Sequence, residues 1–554
     1  MPPSGMRDRT RFFEQGSRGG APWLTVVAFV AFAVGTEGCK KKPLEHPDGG
    51  AEVILPKAPP LTPGERTAPV AIVAPAPLPE GVPLKRHVSP SGKGPTEYVD
   101  QAGLRSLLYF KKYALLEAAF EDFQHRVETR LEDEELIYQA AASFESSEDE
   151  LREQLDGWVA ASPASFAPYL ARANHFSSAG WDSRGTGWAA ETSKESFARM
   201  TELHTRAKAD ADKALELRPK LQPAFRIRVK LAKGGSNLGD AKLFLDRATK
   251  DCPACFRVRY VYAFGLAPRW GGSYPAMDAF AKTAPVDKNP RLAILAGLAD
   301  FDRSTAPHNA KKYDEALASI DAATKHYDAA AFSNARAETL AAKEDFTGAL
   351  TAIDHAIDLA PSEPEFHIRR GTILSGLKRW KEAGEELLTG LRVDRTSALA
   401  RAYHRTIVDW LVWQGWQEKL AGKRDLALDM LEVALDLAPT DQGAAGTYYQ
   451  TVIANVADPT KELPRLEAQI KAKPDDFRAH QELDYALAKL GRFKDVVQMW
   501  DGYIGRHPKD GRAHLERGGA HNRLGDRAAS HTDAQAACNL GIAQGCIFAA
   551  RASK

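Results

Sequence analysis

Residues 345–361 read DFTGALTAIDHAIDLAP, and the fold is decided there. Asp345-Phe346 leads into Ala349-Leu350, Ile353 and Ala356, and Pro361 closes the helical segment. The same slots return along the chain. Gly371, Trp380 and Ala383 stand 34 positions beyond Ala337, Phe346 and Ala349, and Tyr313, Ala316, Ile320 and Ala323 come before them at a spacing of 33. Leu490-Gly491-Arg492-Phe493 and Leu524-Gly525-Asp526 lie 34 apart, with Gly518 in the small-residue slot. The closing prolines keep the same interval: Pro219 and Pro253 are 34 apart, Pro439 and Pro474 are 35 apart, and Pro474 and Pro508 are 34 apart. A fixed period of this size marks a repeat array, in which hairpins too poor in apolar surface to stand alone stack and bury one continuous core. Between Ala383 and Ala427 the spacing is 44, which predicts an insertion lengthening the helices around Trp410, Trp413 and Trp416.

These residues resemble the tetratricopeptide repeat, in which small residues sit where two helices touch and proline ends the second helix. The resemblance runs from about residue 305 to the C-terminus and implies a right-handed superhelix with a concave groove, lined mainly by the first helix of each hairpin. Carrying the register over puts Asn334 and Glu338, Thr372, Gln481, Tyr485 and Lys489, and Asn522 and Arg523 along that groove. Amides and hydroxyls there can pair with an extended peptide backbone, and Tyr485 offers apolar area at low entropic cost, so a protein partner is expected; the plain alternative is a solvated face.

Composition agrees with an all-α chain. Of 554 residues 44% are hydrophobic, ample for a core, and alternating β-branched runs are almost absent. Lys and Arg number 74 against 73 Asp and Glu, which leaves no global field to recruit nucleic acid. No helix-spaced metal pair occurs among the fifteen histidines, and His367, His480 and His514 share one repeat slot, so they read as packing between helices. Trp410, Trp413 and Trp416 read as a buried stripe, with a ligand platform as the alternative. Gly271-Gly272-Ser273 lacks the spacing of a phosphate loop. No enzyme activity, cofactor, metal or small-molecule substrate is implied.

Ahead of the helical body lies an address. Arg7, Arg9, Arg11 and Arg18 precede an apolar run from Ala21 to Gly35, too short for a bilayer that needs ~20 residues. The run ends in Thr36-Glu37-Gly38-Cys39, which resembles a bacterial lipobox. The resemblance implies a signal peptide over 1–38, lipidation at Cys39 and a membrane anchor; an uncleaved anchor or ordinary signal cleavage is the alternative. Among such lipoproteins an Asp after the cysteine retains the protein at the inner membrane; here the residue is Lys40, which favours the periplasmic side of the outer membrane. From Cys39 to Pro95 prolines crowd a segment almost without aromatic residues, read as a disordered, extended tether.

Residues 96–304 read as diverged helical hairpins. Trp181-Asp182-Ser183-Arg184-Gly185 and Arg269-Trp270-Gly271-Gly272-Ser273 resemble the W-x-x-R-G and R-W-G-G-S signatures of a bacterial domain of unknown function. A pocket gathering Asp182, Arg184, Arg269 and Trp270 would make this half a ligand-binding or enzymatic module with the repeats as a docking arm. Otherwise the chain reads as an envelope-anchored adaptor or scaffold.

Beside Cys39, two close cysteine pairs remain, as expected for disulfides in an exported chain. Cys538 and Cys546 resemble the clip of secreted, cysteine-rich Sel-like repeats. Cys252-Pro253-Ala254-Cys255 follows a predicted helix rather than a strand, which favours a structural bond over redox chemistry.

Overall fold

The computed structural model describes residues 73–185, 192–234 and 238–552. The signal sequence, Cys39 and the first part of the Pro-rich stretch lie outside the described residues. The remainder is all-α except for one short antiparallel pair, Leu84–Arg86 with Glu97–Val99.

Helical hairpins stack from one end to the other. In the repeat half the pairs are Ala330–Ala342 with Phe346–Leu359, Pro364–Gly376 with Trp380–Leu391, Ala398–Leu420 with Arg424–Leu437, Phe477–Lys489 with Phe493–Arg506, and Gly511–Arg523 with Arg527–Asn539; between them Gln442–Val452 packs on Arg424–Leu437 and Pro459–Ala472 on Phe477–Lys489, and Ala543–Ala552 closes the array. Ala349, Ile353 and Ala356 are fully buried. At Gly371 a Cβ would lie 2.8 Å from the carbonyl oxygen of Ala383, so the small-residue slot is a helix contact with no room for a side chain. The period is also written in the backbone. Lys311, Glu344, Lys378, Gly422, Gly491 and Gly525 each turn the chain between helices with positive φ, and Lys111 does so in the diverged half. The insertion falls where the spacing puts it: Ala398–Leu420 has 23 residues against 13 in Pro364–Gly376.

The diverged half contains Gln101–Tyr109, Tyr113–Thr129, Glu134–Ala142 and Asp149–Ala161, then the long pair Phe166–Arg184 and Lys194–Leu217, and further helices to Tyr313–Thr324. Its core is centred on Trp158, fully buried with Phe120 and Phe144 rings at 5.9 and 6.0 Å. A buried charge cluster joins this half to the loop at residue 395. Glu148 receives Arg105 at 2.8 Å and Arg395 at 2.7 Å, and the Ser146 hydroxyl donates to it at 3.0 Å.

The expected disordered tether to Pro95 needs correcting from residue 73 onward. Val73, Ala74 and Ala76 are buried, and the segment lies across the ends of distant helices as a strap. Its backbone is satisfied by the body. The Ala74 N–H donates to the Asp436 carbonyl at 2.9 Å, Leu78 N–H to the Asn539 carbonyl at 3.1 Å, Arg392 donates to the Ala74 carbonyl at 3.0 Å, and Ser106 to the Ala76 carbonyl at 2.7 Å. Asp436 and Asn539 stand in the last turns of their helices, whose terminal carbonyls have no partner within the helix, so the strap supplies the missing donors. Composition had marked the stretch as unable to fold by itself; docking onto a body relieves it of that need.

Candidate partner-binding groove

Gln442–Val452, Phe477–Lys489 and Gly511–Arg523 stand one repeat interval apart, their capping residues Asp441, Asp476 and Asp510 separated by 35 and 34 positions. Each starts on an aspartate whose side chain accepts from the first-turn backbone: Asp441 from Ala444, Asp476 from Ala479 and Asp510 from Arg512. That shared register brings equivalent positions side by side. Gln481 donates to Glu516 at 2.9 Å and to the Tyr448 hydroxyl at 3.2 Å, and Arg478 reaches the same hydroxyl at 2.7 Å and Glu432 at 2.6 Å. Next to this polar row, Tyr449 is 53% exposed and packs edge-on to Tyr485 at 5.7 Å, with the Lys489 ammonium 5.4 Å from the Tyr485 ring.

Asp484 lies between the aromatic and polar rows, its carboxylate accepting from the Trp500 indole at 2.7 Å. Burial, reinforced by the neighbouring Glu516, pushes its pKa up to about 8; burial also raises Glu516, against the pull of Gln481 and Arg512. Asp484 unfolded titrates near ~4. The folded chain therefore binds an extra proton between about pH 4 and pH 8, and stability falls as pH rises through that window. Asp484→Asn is expected to be more stable than the parent by about 1–2 kcal/mol at pH 8, with the difference gone below ~pH 4. Urea unfolding at the two pH values checks this, and equal stabilities at pH 8 would count against it.

The eight groove residues predicted from the register divide. Lys489, Asn522 and Arg523 are exposed and Tyr485 half-buried. Thr372 and Gln481 are buried, which corrects their placement along the open groove. Thr372 is turned back onto the Arg369 carbonyl at 2.8 Å, and Gln481 is consumed between neighbouring helices. Glu338 faces Arg369 at 3.5 Å, and Asn334 is half-buried. Sequence reasoning missed Tyr448, Tyr449, Asp484 and Glu516. Tyr448 precedes Gln481 by 33 positions and Glu516 follows it by 35, so the same register, continued through Gln442–Val452, would have found them.

Elsewhere, the tryptophan stripe is buried only at its start. Trp410 stacks on Trp380 at 4.9 Å, while Trp413 and Trp416 are 36% and 41% exposed, because the lengthened helix outruns the 12-residue Trp380–Leu391 against which it packs. The three slot-sharing histidines bridge elements: His367 meets Glu386 at 2.7 Å, His480 is buried beside Trp500 and Tyr503, and His514 contacts Asp533 at 3.5 Å.

In the diverged half, Trp181 and Trp270 meet edge-on at 5.8 Å, so the two signatures are neighbours. Their charged residues take separate partners. Arg269 pairs with Asp302, Arg184 lies over Phe197, and Asp182 is held by Ser147. His175 is buried with Nδ1 2.6 Å from the Ser146 carbonyl, and burial lowers its pKa to about 4. Cys252 is bonded to Cys255 in the turn between Leu238–Asp251 and Arg257–Gly265, and Cys538 to Cys546 across the final turn. Among the described residues no cluster could hold a metal ion, and no helix is long and apolar enough to cross a membrane.

Residues 100–234 match the family described as a domain of unknown function, DUF4034. The W-x-x-R-G signature falls inside that span and R-W-G-G-S beyond it. No curated protein matches the chain. Among solved structures, the chain is similar to yeast Tom70 (12% identity, 80% of this chain and 96% of that one, TM-score 0.19). It is also similar to the TPR2AB domain of yeast Sti1 in complex with pHSP90 (16%, 47% and 98%, 0.22), and to the Cut9–Hcn1 hetero-tetramer of APC/C (13%, 82% and 86%, 0.23). The hairpin architecture of this chain rests on its own helix pairs and buried small-residue contacts.

Proposed function

We propose that this protein is a scaffold that binds another protein through the groove formed by Gln442–Val452, Phe477–Lys489 and Gly511–Arg523, and that it does no chemistry of its own. The observation that supports this most directly is the Tyr449–Tyr485 pair, exposed at Tyr449 and half-buried at Tyr485, with Lys489 and the Asp484 and Glu516 carboxyls as its charged neighbours. Aromatic area beside charged groups suits the capture of a peptide segment. Replacing Tyr449, Tyr485, Lys489 and Arg523 together is expected to abolish capture of the partner crosslinked in cells, at a stability cost of about 0.5 kcal/mol or less per site. Gln481 is left in place because it holds adjacent helices together. Capture that survives in a folded variant would move the site to the diverged half.

The same reading places the scaffold at the cell envelope, lipidated at Cys39 and facing the periplasm from the outer membrane, with neither nucleic acid nor a small-molecule substrate among its partners. Cys39→Ser is expected to release the protein from membranes or to leave an unprocessed precursor, as fractionation and mass measurement would report. Unchanged membrane association and mature size would count against the anchor.

A further inference from the structure

The strap over residues 73–94 is held in two different ways, and the difference has consequences. Its second part is fastened through charged and polar side chains: His87 to Asp358 at 2.9 Å, the Ser91 N–H to Asp358 at 3.1 Å, and Lys93 to Asp328 at 2.7 Å. Its first part, Val73 to Leu78, is read almost wholly through its main chain, by the Asp436 and Asn539 carbonyls, the Arg392 guanidinium and the Ser106 hydroxyl, around alanines and prolines that fill small gaps. Pro75 and Pro77 pass so close to the final turn that a Cβ on Gly541 would lie 3.1 Å from both. Between the two parts Glu80, Gly81 and Val82 are exposed; Glu80 makes one surface ion pair, with Lys509 at 2.5 Å, and a Cβ on Gly81 would touch nothing. The contacts of the first part share no residue with those that fasten the second.

We propose that the cleft bounded by Ser106, Arg392, Asp436 and the Asn539–Gly541 turn is a binding site for an extended Ala-Pro segment, filled in one chain by its own residues 73–80 and open to the same residues of a second copy. A second copy presents the complement already seen to fit, donor for acceptor and proline for glycine, so exchanging straps makes two identical contacts and costs no new interface. Main-chain recognition of an extended, proline-stiffened segment loses little conformational entropy on binding. The chain's own strap competes at an effective concentration of order millimolar. Exchange therefore grows with chain density.

The test uses full-length chains carrying Cys39→Ser, so that the four remaining native cysteines are all in disulfides. One chain carries Glu80→Cys and the other Lys509→Cys, positions whose side chains meet at the surface at 2.5 Å in the seated strap; a third carries both. A short bis-maleimide should link the double variant within one chain, showing that the strap is seated. Mixing the single variants should give a covalent dimer whose yield rises with protein concentration and collapses when a synthetic peptide of residues 70–83 is added in excess. No dimer at any concentration, while the double variant links fully, would overturn exchange. A dimer indifferent to the peptide would show contact elsewhere and overturn it too, and failure of the double variant to link would overturn the seat itself.

Discussion

Replacing Glu148 with alanine is expected to destabilise the protein by about 3–5 kcal/mol, since the change leaves the buried Arg105 guanidinium without its carboxylate and takes from Arg395 one of two, Glu150 at 2.8 Å remaining. The Glu148 side chain is 1% exposed and that of Arg105 4%. Arg105 belongs to the first described helix and Arg395 to the loop before Ala398–Leu420, so this carboxylate closes contacts across sequence separations of 43 and 247. Against the upward push of burial, the two arginines pull its pKa to about 2. With the folded value below the unfolded one near ~4.3, the stabilisation is present above that pH and is lost as pH falls toward 2. Urea unfolding of Glu148→Ala at pH 7 measures the effect, and a loss below about 1 kcal/mol would mean the cluster is hydrated like a surface pair. Glu148→Gln, which keeps an acceptor but not the charge, is expected to fall between.

Trp500 gives a second large effect with a signature at the groove. It is fully buried, with the rings of Phe477, His480 and Tyr503 at 5.4 to 5.6 Å, so Trp500→Ala is expected to cost about 3–5 kcal/mol. Trp500→Phe keeps much of that area and removes the N–H given to Asp484. That bond favours the ionised carboxylate, so its loss should raise the Asp484 pKa further above about 8. Carbon-detected NMR titration of the aspartate side chains would show the movement, and an unchanged midpoint would remove Trp500 from the groove's electrostatics.

The hairpins were legible because Ala349, Gly371 and Ala383 report a local requirement, the close approach of two helices, that recurs at a fixed interval. The groove was half legible for the same reason. The register fixes where Gln481 and Tyr485 start, but whether a polar side chain faces solvent depends on the neighbouring helix, and Glu516 takes Gln481 out of solvent. Trp416 failed in the opposite sense, since its exposure depends on how far the adjacent helix reaches. The strap was illegible. Alanines and prolines recognised through main-chain atoms leave no pattern of side chains to read, and their partners at Asp436 and Asn539 are hundreds of residues away.

That separation also orders assembly in time. Each hairpin can form from neighbours in sequence as soon as it is made, as in other arrays with local contacts. Ala74 must wait until Asp436 exists and Leu78 until Asn539, so the earliest part of the body to emerge is among the last to dock. Refolding should accordingly show fast growth of helix followed by a slower closing step, and truncation at the C-terminal hairpin should remove the Asn539 side of the strap's seat while most repeats still form.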